Sequence, residues 1–425
     1  MMKLTLKNIG KIIAADIDIK GITVIAGENN TGKSTVSRAL FSVFNGFYNL
    51  PARIQDARIK NITNLTTFLD ESIKLLHVHD FDISVLVKKI VENSPVYKKD
   101  KEKLKEAIIQ FFYDFDKSAD KNLDSVDFSI YLSRLQNTLQ VSNSEMEKAL
   151  IEKQLSDEFF GQVNNLYVKD KGEIQLQIQE RNMCLSIQDN KVSEIHNDSH
   201  MELRTEAIYI DDPFVVDDAI LVYYPNDKED RHRMHLIKKL WNTAPTQPDI
   251  IDKIITDKSL DMIYGKINQV CDGDIIKQQA HQYGYRLKES DKTLSIQNIS
   301  TGMKTFVILK VLLQKGEIKP YGTVILDEPE IHLHPEWQVL FAELIVLLQQ
   351  SFHLHILLNT HSPYFLNAIE VYSEKYGVAD LCKYYLANRD GDNGVITDVT
   401  GNTEAIYEKL ARPFQKLENE RYSND

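Results

Sequence analysis

A glycine-rich turn near the amino terminus constrains the fold of this chain more than any other feature. Residues 22–26 are an almost continuously apolar run, which is typical of a buried parallel strand. The run leads directly into a turn and then a helical segment, and the turn reads Gly27-Glu28-Asn29-Asn30-Thr31-Gly32-Lys33-Ser34-Thr35. The spacing G-x-x-x-x-G-K-[ST] between a strand and a helix predicts a phosphate-binding loop.

The residue types in this loop suit a nucleotide. Glycines let the backbone turn tightly so that its N–H groups point at phosphate oxygens, and the new helix offers the positive end of its dipole. Lys33 is predicted to reach the β- and γ-phosphates, and the Ser34 hydroxyl to bind Mg²⁺. The predicted nucleotide-binding residues of the loop are Gly27, Asn29, Asn30, Thr31, Gly32, Lys33, Ser34 and Thr35.

A second apolar strand, at 323–326, ends in two acids, Asp327 and Glu328. Unpaired charge at the end of a buried strand is heavily penalised, so the two carboxylates indicate a bound cation or a reaction. Asp327 is predicted to hold Mg²⁺ through its water shell. Glu328 is predicted to act as the general base that polarises an attacking water.

Two further motifs flank the acidic strand. Ser300 and Gly302 precede a helical segment, where a hydroxyl and exposed N–H groups can bind an anion and glycine admits close approach. His361 follows another apolar strand, at the edge where ligands bind in open α/β folds, and is predicted to hydrogen-bond the γ-phosphate or the attacking water. Taken alone, the first motif is an ordinary helix cap and the histidine a packing or surface residue. Their positions around the acidic strand favour the functional interpretation.

Composition limits the remaining possibilities. The 425 residues carry a formal net charge of −12, which argues against a surface that grips nucleic acid everywhere and leaves only local binding open. Three widely spaced cysteines suggest neither a disulfide framework nor a zinc site. The first residues alternate polar and apolar side chains as a strand does, and no apolar run approaches the roughly 20 residues that span a bilayer. We therefore expect a soluble, cytoplasmic protein without a membrane partner.

The chain reads as one α/β domain interrupted by helices. Residues 51–164 contain long polar and apolar runs with few glycines, and they predict a helical insertion. Residues 1–50 and 165–425 are predicted to form the main domain. Its strand pairs are expected near 173–189, 285–295 and 382–399, with helical sequence from about 230 to 282.

Taken in order, the four motifs resemble the Walker A, signature, Walker B and switch-histidine motifs of the ABC ATPase superfamily. Residues 328–335 and 359–363 resemble its RecF-, SMC- and OLD-like branch, and the resemblance covers 1–50 and about 285–390. It implies an α/β ABC-ATPase head, with a mixed β lobe and a RecA-like parallel-sheet lobe, that uses ATP and Mg²⁺. It also implies a homodimer, or a higher oligomer, in which Ser300 and Gly302 contact the ATP of the other subunit.

The resemblance departs from the family pattern in two places. The signature reads Ile-Ser-Thr-Gly-Met-Lys at 299–304 instead of Leu-Ser-Gly-Gly-Gln, and no Q-loop glutamine is evident. The turn at 211–213, Asp-Asp-Pro, is the candidate for that lobe junction.

A chain of this size resembles the ATPase subunits of two-gene phage-defence systems of the Septu and PARIS types. That likeness implies a sensor or switch that hydrolyses ATP and acts with a separately encoded nuclease or toxin. One alternative is an ATP-stabilised scaffold with negligible turnover that sequesters an effector. Another is a RecF-like DNA-repair ATPase that uses the basic segment at 228–239. Nucleic acid thus stays open as a partner, whereas Asp390-Gly391-Asp392 is interpreted as a turn and not as a nuclease metal site.

Overall fold

The computed structural model describes residues 2–74, 82–115, 128–197, 201–222, 231–242, 260–278, 282–288 and 292–422. The chain divides into two compact units. The first, Met1–Tyr48 with Ile151–Asp425, is called the head below, and the second is Asn49–Leu150.

The head is built on one large mixed sheet. Its strands and those of a small second sheet are β1 (Met2–Ile9), β2 (Ile12–Ile19), β3 (Ile22–Gly27), β4 (Gly172–Ile178), β5 (Arg181–Gln188), β6 (Lys191–Asn197), β7 (Ala207–Ile210), β8 (Asp274–Lys277), β9 (Tyr283–Arg286), β10 (Thr293–Ser295), β11 (Thr323–Asp327), β12 (His355–Thr360), β13 (Cys382–Asp390) and β14 (Asn393–Asp398). The large sheet has 11 strands in the order β6-β5-β4-β1-β2-β14-β13-β3-β12-β11-β7, and the small one is β10-β9-β8.

The two halves of the large sheet differ in strand direction. Strands β6, β5, β4, β1 and β2 pair antiparallel, whereas β13, β3, β12, β11 and β7 are all parallel. The parallel strands read as apolar runs because helices cover both of their faces. This arrangement confirms the predicted fold class, a mixed β lobe joined to a parallel-sheet lobe.

The head also contains helices, several of which pack on the parallel strands. They are α1 (Lys33–Phe47), α7 (Asn143–Glu158), which crosses the unit boundary, α8 (His232–Trp241), α9 (Thr301–Gln314), α10 (Pro335–Phe352), α11 (Pro363–Lys375) and α12 (Glu404–Tyr422), with a 3₁₀ segment at Pro213–Val222. The main core is dominated by apolar side chains from β3, β11, β12 and helices α8 to α11, and includes Trp241, Phe306, Phe341 and Phe365.

The unit at 49–150 is helical and has a core of its own. Its helices are α2 (Leu50–Lys74), α3 (Ile83–Glu92), α4 (Ser94–Tyr97), α5 (Lys101–Phe115) and α6 (Ser129–Gln140). Leu86, Ile108, Phe112 and Leu135 are buried together. Nowhere in the described parts of the chain is a helix both long and apolar enough to cross a membrane.

The boundaries of this unit differ from the range of 51–164 expected from the sequence. Ile151, Leu155 and Val163 are buried, and Glu158 accepts a hydrogen bond from the backbone N–H of His232 at 3.0 Å, so 151–164 belong with the head. The head also contains strand β8 within the range predicted to be helical. The predicted strand pairs and the turn at Asp390-Gly391-Asp392 are confirmed.

Candidate nucleotide-binding site

The loop between β3 and α1 is shaped to hold an anion. Gly32 adopts φ 93°, and a side chain at Gly27 would place its Cβ 2.4 Å from the carbonyl oxygen of Ala387, so both positions require glycine. Within the described residues, the N–H groups of Gly32, Lys33 and Ser34 donate to no protein acceptor. These free donors at the amino end of a long helix fit a phosphate group.

Lys33 is buried in this loop, with 4% of its side chain exposed. Its ammonium donates to the carbonyl oxygens of Gly27 at 3.1 Å and Glu28 at 2.9 Å, and lies 3.4 Å from the Glu328 carboxylate. All three partners are oxygen atoms at the mouth of the loop. The ammonium is therefore held where it can exchange these oxygens for phosphate oxygens with little movement of the Lys33 side chain.

Asp327 ends β11 with only 7% of its side chain exposed, and two neighbouring side chains orient it. Oδ2 accepts the hydroxyl of Tyr209 at 2.8 Å, and Oδ1 accepts Nδ2 of Asn359 at 2.8 Å. Burial, followed by the charge of Asp327, raises the pKa of Tyr209 well above its usual value, so the phenol remains a donor. Neither Tyr209 nor Asn359 was predicted, although both lie on strands next to β11.

Glu328 turns out of the strand in the left-handed conformation, with φ 52°. A non-glycine residue in this region carries strain that is often stored at functional sites. Its backbone N–H donates to the carbonyl of Asn359 at 3.0 Å, and its side chain, 24% exposed, faces the cleft.

His361 and Glu328 lie close together in the cleft, with Nδ1 of the imidazole 3.5 Å from Oε1 of the carboxylate. The interaction with His361 is the main cause that lowers the pKa of Glu328, and Lys33 lowers it further against the opposing effect of burial. Glu328 in turn raises the pKa of His361. The carboxylate is thus kept deprotonated, which is the form that a general base needs.

Ser300 and Gly302 lie on a different surface. Ser300 caps α9 by accepting the N–H of Met303 at 3.4 Å, and it lines a groove with Thr301, Gly302, His332, His334 and Trp337. The phosphate cleft is lined by another set, Lys11, Glu328 and the loop residues Asn29 to Thr35. One chain therefore brings together the loop, Asp327, Glu328 and His361, but not Ser300 or Gly302.

The turn at 211–213 joins a network of charges beside the cleft. Asp211, which lines a cavity with Glu328, lies 2.8 Å from Nε2 of His232, whose Nδ1 is 2.6 Å from the Glu158 carboxylate. Burial lowers the pKa of His232, but these two carboxylates outweigh it and raise the pKa to about 9. A buried imidazolium thus holds this turn.

The basic segment considered for nucleic acid is largely neutralised within the head. Arg233 pairs with Asp212 and Asp218, and Lys239 pairs with Glu206 and Glu317. Residues 228–230 of that segment lie outside the described residues. Two of its cations, Arg233 and Lys239, are therefore occupied by internal ion pairs.

Together, the sheet and the converging motifs define a nucleotide-binding head of the ABC type. A family model described as "AAA domain, putative AbiEii toxin, Type IV TA system" matches residues 22–367, and the chain belongs to that family. It is an ABC-type ATPase of the RecF, SMC and OLD branch.

Two curated proteins align with short parts of the chain. "Retron Vc95 probable ATPase" from Vibrio cholerae serotype O1 biovar El Tor is 32% identical over 99 residues, which is 23% of this chain and 18% of the relative. "OLD nuclease" from Thermus scotoductus is 35% identical over 81 residues, which is 18% of this chain and 15% of the relative. The chain thus matches less than a fifth of the length of either relative.

Solved structures of SMC heads are similar over nearly the whole chain. The SMC head domain from Thermotoga maritima is 10% identical, with a TM-score of 0.40, over 93% of this chain and 98% of that one. An SmcHead bound to the C-winged helix domain of ScpA is 11% identical, with a TM-score of 0.45, over 95% of this chain and 98% of that one.

Proposed function

We propose that this chain hydrolyses ATP at a site that a second copy of the same chain completes. The observation that carries the proposal is the convergence of Lys33, Asp327, Glu328 and His361 at the carboxyl ends of three adjacent parallel strands. Ligands bind at that edge in open α/β sheets.

Each residue has a role that its contacts suit. Lys33 and the free N–H groups of the loop bind the phosphates, and Ser34 and Asp327 would hold Mg²⁺, which when bound neutralises phosphate charge. Mg²⁺ is commonly held by one or two side chains together with substrate phosphates. The described residues contain no cluster of three or more His, Cys, Asp or Glu that would hold a metal by itself. Glu328 accepts the proton of the attacking water, and His361 orients that water or the γ-phosphate.

The second copy supplies Ser300 and Gly302. These residues line a groove that shares no residue with the phosphate cleft of their own chain. A site split in this way makes hydrolysis depend on association, so ATP would join two heads and hydrolysis would part them. This dependence is the property expected of a switch.

The cellular role that we favour is the sensor or switch subunit of an anti-phage defence complex in the cytoplasm. The partner would be a separately encoded nuclease or toxin. Support comes from the names of the relatives, a retron ATPase and an OLD nuclease, and from the toxin named in the family description. Phage plating on cells that carry the gene with its neighbours, compared with a Lys33→Ala version, tests this role. Equal plating on both strains would reject it.

The biochemical test uses Glu328→Gln, with Glu374→Gln on an exposed face of α11 as the matched control. We expect Glu328→Gln to bind ATP, to lose hydrolysis by at least about a hundredfold and to accumulate as a dimer in light-scattering chromatography. Undiminished hydrolysis in Glu328→Gln would reject the base assignment. A parent protein that forms an ATP-bound oligomer but shows no turnover would instead identify the ATP-stabilised scaffold.

A further inference from the structure

Glu330 is a buried carboxyl to which the proposed reaction gives no role. Its side chain is 1% exposed, although it lies only two residues after the cleft-facing Glu328. The left-handed turn at Glu328 and the following Pro329 direct the first carboxylate into the cleft and the second into the protein. A carboxyl in such a place is costly, and residues of this kind are found preferentially where they serve a site.

Among the described residues, the Glu330 carboxyl accepts its side-chain and backbone hydrogen bonds from the segment that carries His361. Oε1 accepts the hydroxyl of Thr360 at 2.5 Å and the backbone N–H of His361 at 3.1 Å. The Thr360 oxygen in turn accepts the N–H of Ser362 at 3.0 Å. The side chain of Glu330 therefore fixes three consecutive residues of the loop.

The same two loops are joined a second time by the backbone. The N–H of Glu328 donates to the carbonyl of Asn359 at 3.0 Å, two residues before His361. Two crosslinks thus hold the backbone that leads into His361, whose Nδ1 lies 3.5 Å from Glu328. A displacement of this backbone would separate the imidazole from the general base.

The two carboxyl oxygens of Glu330 differ in their use, because Oε1 alone accepts the bonds from the His361 loop. Oε2 is buried and has no hydrogen-bond partner among the described residues. Burial, the largest influence, also raises the pKa of this carboxyl. Since only Oε1 is used, an uncharged side chain with one carbonyl oxygen in the same position could make both bonds.

We propose that Glu330 is a positioning residue that holds His361 against Glu328 by accepting the Thr360 hydroxyl and the His361 N–H. The inference rests on the proposed ATP hydrolysis. It adds to that site a residue, Glu330, that acts only through His361. It also gives this buried polar side chain a role beside the cleft.

The first experiment compares Glu330→Met with Glu330→Gln. Methionine keeps the length and removes the acceptor, whereas glutamine keeps a carbonyl oxygen. We expect Glu330→Met to lower kcat for ATP by about a hundredfold with KM unchanged, because a positioned acid–base group contributes on this scale. Glu330→Gln should restore most of kcat. Glu343→Met, which removes another buried carboxyl, on α10 and bonded to Lys266, controls for a general loss of packing.

The second experiment asks whether Glu330 acts through His361. If it does, Glu330→Met in a His361→Ala background should cause no further loss of kcat, because residues that act as a unit are not additive. A full additional loss, or a Glu330→Gln variant as impaired as Glu330→Met, would overturn the proposal. If Glu330→Met does not fold, Thr360→Val removes one of the two donors at nearly constant volume and is expected to lower kcat in the same direction.

A spectroscopic measurement separates this inference from the proposed function. The imidazole ¹³C resonance of His361, assigned by its loss in His361→Ala, should shift in Glu330→Met but not in Glu330→Gln or Glu343→Met. If the parent does not hydrolyse ATP yet the resonance shifts as expected, the proposed function fails and the positioning role stands. An unchanged resonance in Glu330→Met rejects the positioning role whatever the hydrolysis rate.

Discussion

The ammonium of Lys33 lies 3.4 Å from the carboxylate of Glu328. The residue proposed to bind the γ-phosphate is therefore partly neutralised by the residue proposed to activate water. An incoming triphosphate must compete with Glu328 for the same ammonium. Binding of the triphosphate then frees the carboxylate to act as the proposed general base.

This competition predicts that Glu328→Gln binds ATP more tightly than the parent. Removal of the carboxylate frees Lys33, and a partly exposed ion pair of this kind is worth about 1 kcal/mol, or roughly a fivefold change in Kd. The measurement is a titration with a fluorescent, non-hydrolysable ATP analogue. Glu374→Gln should leave the affinity unchanged, and weaker binding in Glu328→Gln would show that Glu328 assists the phosphates instead of opposing them.

The separation of the two surfaces predicts complementation between inactive variants. Lys33→Ala should lose ATP binding at its own loop, and Ser300→Arg should block the site that it completes on its partner. A mixture of the two contains dimers with one intact composite site. We expect the mixture to regain a substantial part of parental hydrolysis, measured as phosphate release at fixed total protein.

The control is a mixture of Lys33→Ala with Lys33→Ala/Ser300→Arg, in which no intact site can form. If the first mixture is as inactive as this control, each chain works alone or two intact sites are required. Equal sedimentation of both mixtures would confirm that they assemble equally.

Gly394 is predicted to be essential for nucleotide binding although it lies outside the phosphate loop. A Cβ at this position would stand 2.1 Å from the carbonyl oxygen of Thr31, and backbone cannot yield as a side chain can. We expect Gly394→Ala to cost about 1–3 kcal/mol of unfolding free energy and to weaken ATP binding. At Gly401 an added Cβ meets nothing within 4 Å, so Gly401→Ala should match the parent in both assays.

The buried imidazolium of His232 predicts a loss of stability at alkaline pH. Its pKa is raised to about 9, above an unfolded value near 6.5. The contribution is therefore complete below about pH 6.5 and disappears as the pH rises through 9, with a loss of roughly 3 kcal/mol. Urea unfolding between pH 6 and 10 measures it.

His232→Gln supplies the comparison for this measurement. Glutamine can hydrogen-bond Asp211 or Glu158 but cannot carry the charge, so this variant should be less stable at pH 6 and nearly independent of pH up to 9. If the variant and the parent have the same slope of unfolding free energy against pH, another group is responsible.

Local sequence was sufficient to predict the elements that carry the motifs. The apolar runs at 22–26 and 323–326 are strands, and the turn at 211–213 follows a strand as expected. These predictions succeed because hydrophobic periodicity and turn-forming residues act over only a few positions. The convergence of Lys33 with Glu328 could be anticipated only because both follow buried parallel strands, whose carboxyl ends share one edge.

The partners of these residues could not be predicted in the same way. Tyr209 orients Asp327 from a strand 118 residues away, and Glu330 lies within the range 328–335 that resembles the family, a resemblance that assigned it no role. Side-chain direction in both cases depends on sheet register and on the left-handed turn at Glu328, which the sequence does not specify. The two compact units divide after Leu150, inside α7, where no break in the helical sequence marks the division.

The sheet order has a consequence for how the protein is made. Among the described strands, β3, which presents the phosphate loop, has β12 and β13 as its neighbours, and Arg389 reaches Asn29 across 360 residues of chain. A ribosome that has just released the loop has not yet made either neighbouring strand. The nascent chain should thus bind nucleotide only after β12 and β13 have been made, and until then both edges of β3 stay unpaired and open to a chaperone.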